Sequence, residues 1–136
     1  MIFIPTEQAH KEQARQNEYA IGRIEAQHPD WVVTLCFYAA LHWVEFYAKA
    51  EGTNIFHEYE DAGSPHDRRR DYLSDVAYYY LNAKKLYKAY TALEDESKVA
   101  RYLKGIDVDA RQYYIKNDTK VRESKNNLRI VKHFLS

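Results

Sequence analysis

The chain has 136 residues, 20 Lys and Arg against 20 Asp and Glu, and is 46% hydrophobic and 29% charged. That is the length of one domain, 1–136, with enough chain to bury a core without disulfide staples or a structural metal. The lone Cys36 excludes an internal disulfide framework and a multi-cysteine zinc site, and four Gly and three Pro are too few for a turn-rich all-β fold. The apolar runs read as shorter than a membrane span. Met1–Ile4 has no charged flank and stops at Pro5, so it does not read as a secretory signal. A cytoplasmic protein without membrane association is the expectation.

The balanced charge is unevenly spread. Residues 1–63 hold four basic and ten acidic residues, and residues 111–136 hold seven and two. Such polarity either marks a face for an anionic partner or is cancelled where the two ends meet in the fold or across a dimer.

In chain order, a first helix is expected from about Glu7 to Gln27, capped by Thr6 after Pro5 and stopped by Pro29. Its inward face is Ala14, Ala20, Ile21 and Ile24. A second helix follows Asp30 as cap and runs from Trp31 to Ala50, apolar nearly all round and therefore central, with Gly52 ending it. Residues 53–63 read as a polar loop. Ser64-Pro65 restarts a helix, with Ser64 as cap and Pro65 at the first helical position, and a break is expected near Ser74-Asp75. Val76, Tyr79, Tyr80, Ala83, Leu86, Tyr87, Tyr90 and Leu93 then recur at helical spacing, which places most of these tyrosines in the core or an interface rather than in nucleic-acid stacking. Glu94–Glu96 reads as solvated, and Val99, Ala100 and Leu103 as a resumed apolar stripe. A connection over Asp107–Asn117 with one helical turn leads to a last helix capped by Asp118 or Thr119, with Val121, Leu128, Val131 and Leu135 inward. The fold class is all-α, an antiparallel bundle of four to five helices.

The most suggestive chemistry is Ser64-Pro65-His66-Asp67-Arg68-Arg69-Arg70, where a loop enters a helix whose free N–H groups attract anions. His66 and Arg69, three apart, share a face, so a guanidinium can clamp phosphate oxygens while an imidazole moves a proton. The competing reading is a solvated first turn with Arg69 or Arg70 paired to Asp67 or Asp71. His42, in the middle of the central helix, shares a face with Tyr38 and Glu45. It is either a hydrogen-bonded core residue or, if it meets His66, half of a base–acid pair. Arg101 adds a second guanidinium or pairs with Glu94 or Asp95. The candidate catalytic residues are thus His66, Arg69 and His42, and the candidate phosphate-binding residues Arg69, Arg70 and Arg101. No ligand spacing points to a metal, no motif points to a cofactor, and Cys36 reads as an inert buried thiol.

The segments Asp30-Trp31-Val32-Val33 … Phe37-Tyr38-Ala39-Ala40-Leu41-His42-Trp43-Val44-Glu45, then Ser64-Pro65-His66-Asp67-Arg68-Arg69, then Ala100-Arg101-Tyr102 resemble the HEPN superfamily, in its small prokaryotic branch. The resemblance covers roughly residues 8–135. It implies an α-helical bundle, usually dimeric, that is a metal-independent ribonuclease, often a toxin of a toxin–antitoxin or phage-defence system. It alternatively implies a non-catalytic companion of a nucleotidyltransferase-like or antitoxin partner. Catalytic members carry Arg-x4–6-His in the later half of the domain. Here Arg129-x3-His133 is one residue short, and Arg23-x4-His28 has the spacing but lies in the first helix. The leading expectation is therefore an RNA- or nucleotide-phosphate-binding or regulatory homodimer. The alternatives are a metal-independent endoribonuclease and a non-catalytic protein-interaction dimer.

Overall fold

The structure, a computed structural model, describes residues 4–24 and 26–136. Met1–Phe3 of the apolar start and Glu25 lie outside the described residues. The chain is an all-α helical bundle. Its elements are α1 (Glu7–Ile24), α2 (Pro29–Ala50), α3 (Ile55–Glu58), α4 (Pro65–Asp75), α5 (Lys84–Tyr102), α6 (Ala110–Lys116) and α7 (Asp118–Leu135). A 3₁₀ turn at Glu60–Ala62 and a π turn at Val76–Tyr80 join them.

α2 is the axis of the bundle, with α1, α5, α6 and α7 around it. Its 22 residues span roughly 33 Å at 1.5 Å each. Val32, Val33, Cys36, Phe37, Ala39, Ala40, Trp43 and Val44 are all buried, as a helix apolar on every side requires. By length and composition α2 would suffice to cross a membrane, contrary to the reading of its runs as too short, but most of that stretch is covered by the other helices. Glu18 on α1 ties three helices together: its carboxylate accepts from Trp43 Nε1 at 3.0 Å and from Lys132 Nζ of α7 at 2.9 Å. With the Lys120–Glu96 pair at 3.8 Å, this brings some basic residues of the C-terminal end onto acidic partners within the fold.

Local signals place several boundaries. Thr6 Oγ1 accepts from Ala9 N at 3.1 Å, so α1 is capped as expected. Gly52, at φ 78°, ends α2 with Thr53 N donating to Ala48 O and Gly52 N to Lys49 O, a Schellman motif. Val121, Leu128, Val131 and Leu135 of α7 are all buried at the expected spacing.

Other boundaries move. Pro29 does not stop α1 but opens α2, where its missing N–H costs nothing; His28, not Asp30, is the cap residue, with no side-chain cap bond. The loop at 53–63 contains α3, capped by Asn54, and the 3₁₀ turn. The stretch 107–117 holds α6, capped by Asp109 Oδ1 accepting from Gln112 N. Asn117 precedes α7 without a side-chain cap bond, and its Nδ2 donates back to Tyr113 O at 2.8 Å at the end of α6. The break expected at Ser74-Asp75 falls after the π turn instead, at Leu81–Ala83, where Asn82 takes φ 49°. Tyr79 and Tyr80 are consequently exposed, not core, while Tyr90 is fully buried. Leu103 leaves the apolar stripe as the left-handed cap of α5, φ 57°, and is exposed. Glu94 is buried, 2% exposed, where a solvated residue was expected.

Candidate functional site

A cavity of about 600 Å³ opens between the start of α1, the C-terminal half of α2, α3 and the first turn of α4. α2 contributes His42, Glu45 and Lys49, which helical spacing aligns on one stripe. α1 contributes His10. α4 contributes Arg68 and Arg69.

The first turn of α4 is held by a capping box. Ser64 Oγ accepts from Asp67 N and Asp67 Oδ2 accepts from Ser64 N, both at 3.2 Å. Gly63 precedes it at φ 113°, and a Cβ there would stand 3.1 Å from Asp67 Oδ2, so glycine suits the approach to the cap. Fixed in this way, Arg68 donates to Gly63 O and Phe56 O at 2.8 and 3.0 Å and lies 4.5 Å over the Phe56 ring. Arg69 Nε donates to Glu45 Oε1 at 2.7 Å. The bond uses Nε alone, and among the described residues neither Nη group of Arg69 has a hydrogen-bond partner.

His10 and His42 meet across the α1–α2 interface, Nδ1 to Nδ1, at 2.9 Å. Burial, then the charges of neighbouring groups, pushes His42 down to about 4, with His10 and Arg69 lowering it and Glu45 opposing. His10 is lowered too, first by burial and further by Lys49 and Arg69, against Glu45. Both rings are therefore neutral at pH 7. Among the described residues the lining then carries Lys49, Arg68 and Arg69 against the single carboxylate Glu45, a net charge of +2. A concave, partly apolar site of this sign favours an anion.

Because the folded state refuses a proton that unfolded His42 binds near 6.5, this residue's stabilising contribution is whole above about pH 6.5. It is lost as the pH falls towards about 4. Urea midpoints at pH 7.5 and 4.5 are expected to drop less in His42→Gln than in the wild type. Equal drops would mean that His42 titrates normally.

The expected site residues divide. His42 and Arg69 line the cavity, whereas His66 does not. The His66 ring packs 5.7 Å from Phe37, with Nδ1 buried and without a hydrogen-bond partner among the described residues. Burial lowers its pKa, Glu94 opposes, and Arg69, Arg101 and Lys98 add to the lowering. Arg101 stacks on Tyr38 and Tyr102, at 5.3 and 4.8 Å, and donates to the Tyr38 hydroxyl at 2.7 Å and to Ser97. It pairs with neither Glu94 nor Asp95. Arg70 takes those partners instead, Glu94 at 3.1 Å and Asp95 at 2.9 Å, and Arg69 pairs with Glu45, so the expected pairing of either with Asp67 or Asp71 is replaced by longer-range carboxylates. Neither Arg–His pair lines the cavity. Exposed Arg23 donates to the Tyr19 hydroxyl, His28 is the exposed cap residue of α2, and His133 lies against Phe134.

Sequence reasoning missed His10, Lys49 and Arg68. A signal for His10 existed: it stands four residues before buried Ala14 and eleven before buried Ile21, on the inward stripe of α1. Among the described residues no three His, Cys, Asp or Glu side chains converge as a metal-holding group. No family model, curated protein or solved structure matches the chain.

Proposed function

We propose that the chain is a HEPN-like helical domain that binds RNA or nucleotide phosphate in the α1–α2–α4 cavity. The observation that carries this reading is Arg69, anchored through Nε by Glu45, with neither Nη group hydrogen-bonded among the described residues, in a described lining of net charge +2. A guanidinium held from behind in this way loses little freedom on taking a phosphate. Lys49 and Arg68 supply further charge, and Phe56, 63% exposed beneath Arg68, offers a ring to a base. The order of the motifs at Asp30–Glu45, Ser64–Arg69 and Ala100–Tyr102 supports the HEPN-like assignment, and with it a place in a toxin–antitoxin or defence system. Filter binding of labelled RNA between 50 and 200 mM salt tests the cavity. Affinity should fall steeply with salt, and Lys49→Ala should flatten the log–log slope by about 0.7, the value for one phosphate of a single strand. Binding that ignores salt, or an unchanged slope in the variant, removes this reading.

A second reading, a metal-independent ribonuclease, is favoured by the histidine pair. Two neutral imidazoles joined Nδ1 to Nδ1 must be opposite tautomers. The donor ring has a bare Nε2 and the acceptor ring carries Nε2–H. The pair thus holds one proton acceptor and one proton donor at once. In this reading the bare nitrogen takes the proton of a ribose 2′-hydroxyl, whose oxygen attacks phosphorus. The bond to the 5′-oxygen breaks, that oxygen takes the other ring's proton, and a 2′,3′-cyclic phosphate remains. Arg69 offsets the charge that builds on the phosphoryl oxygens.

A further inference from the structure

The π turn Val76–Tyr80 presents aromatic rings that the bundle does not use. Leu81 N donates to Val76 O at 2.8 Å and Ala83 N to Ala77 O at 2.7 Å, which folds the segment back onto the start of α5. Tyr78 is held there against Tyr87, with ring centroids 5.9 Å apart. Tyr79 and Tyr80 are left 81% and 78% exposed. π turns are uncommon and recur at functional sites.

The segment from the π turn into α5 carries one sign of charge. Residues 76–93 contain Lys84, Lys85 and Lys88 and no carboxylate. Lys85 lies over the Phe134 ring, at 5.5 Å. Lys84 and Lys88, four apart on α5, share a face, are exposed, and pair with no carboxylate among the described residues. The π turn is tied to an element that lines the cavity: the Tyr59 hydroxyl donates to Asp75, the residue before Val76, at 2.7 Å, and Tyr59 directly follows α3, whose Phe56 and His57 line the cavity.

Exposed rings interleaved with unpaired ammonium groups fit a single strand, whose bases stack on any ring face while its phosphates meet the cations. We propose that Tyr79 and Tyr80 are a stacking platform for single-stranded RNA, with Lys84 and Lys88 on its phosphates, extending the path of a strand held in the cavity. This rests on the RNA reading of the cavity and is separable from it by experiment.

The test is fluorescence anisotropy of the full chain with a labelled 12-nucleotide oligouridine and with a 12-base-pair RNA duplex. The double variant Y79A/Y80A should bind the single strand roughly tenfold or more weakly, as the loss of base stacking predicts, and Y79F/Y80F should bind as wild type. Both positions are exposed, so the thermal midpoint should stay put. K84A/K88A should flatten the salt slope by about 1.4, two single-strand phosphates. Wild-type affinity in Y79A/Y80A overturns the platform, as does an equal loss with the duplex, whose bases are already stacked. A tyrosine-dependent loss alongside an insensitive Lys49→Ala keeps the platform and removes the cavity reading. The reverse keeps the cavity and removes the platform. No binding by the wild type removes both.

Discussion

In the ribonuclease reading, His42→Ala is expected to lower RNA cleavage by roughly 10²–10⁴-fold, the usual contribution of a positioned acid–base group, and to leave RNA affinity within a few-fold. The reason is the division of labour in the cavity. That reading assigns phosphate attraction to Lys49, Arg68 and Arg69, none of which bonds to His42, and proton transfer to the His10–His42 contact. His10→Ala should be as damaging, because either ring alone loses the bond that forces opposite tautomers. His66→Ala should cleave as wild type, since that ring lies outside the cavity. The assay is incubation with total RNA in chelator, with fragment ends read out. Cleavage that survives His42→Ala and His10→Ala but disappears in His66→Ala would move the chemistry to the far side of α4. Salt-sensitive binding without cleavage in any form of the protein would leave the cavity as a phosphate-binding site only.

Glu94→Ala is expected to destabilise the fold by about 3 kcal/mol, at the lower end of the cost of breaking a buried ion pair. Glu94 is 2% exposed and stands 3.1 Å from Arg70 Nε and 3.4 Å from Lys98 Nζ. Its removal leaves Arg70, among the described residues, with Asp95 alone, whose side chain is 67% exposed and correspondingly weaker as a partner. Arg70 itself is 27% exposed and Lys98 more so, which keeps the cost from the top of the range. For a domain of this size the loss corresponds to a fall in thermal midpoint of about 10 °C. It also takes away a charge that raises the pKa of His66. Glu94→Gln, which keeps the shape and loses the charge, should fall between the two. Melting by circular dichroism reads all three, and an unchanged midpoint in Glu94→Ala would mean that the pair contributes no net stability.

The parts of this protein that were legible in its sequence are those set by short-range physics. The apolar run of α2, the stripe of α7, the Thr6 and Ser64 caps and Gly52 each depend on residues within about one or two turns, and each was found where those rules place it. So was the all-α class, which follows from periodicity and the scarcity of Gly and Pro. Of the candidate site, His42 and Arg69 were legible as residue types at a promising spacing, but their partners were not. His10 reaches His42 across 32 positions, and Glu45 reaches Arg69 across 24. Such meetings depend on how α1, α2 and α4 pack, to which helical period is indifferent. The π turn is the clearest case. A periodic reading carries one helical phase from Val76 to Leu93, but the wider turn and the bend at Asn82 reset that phase. Tyr79 and Tyr80 therefore swing into solvent while Leu86, Tyr90 and Leu93 resume the core. The same packing buries Glu94, whose charged neighbours in sequence mark it for water, because Arg70 and Lys98 close around it. Local rules decide which segments are helices. Packing decides which of their polar residues leave water, and with that where the candidate site lies.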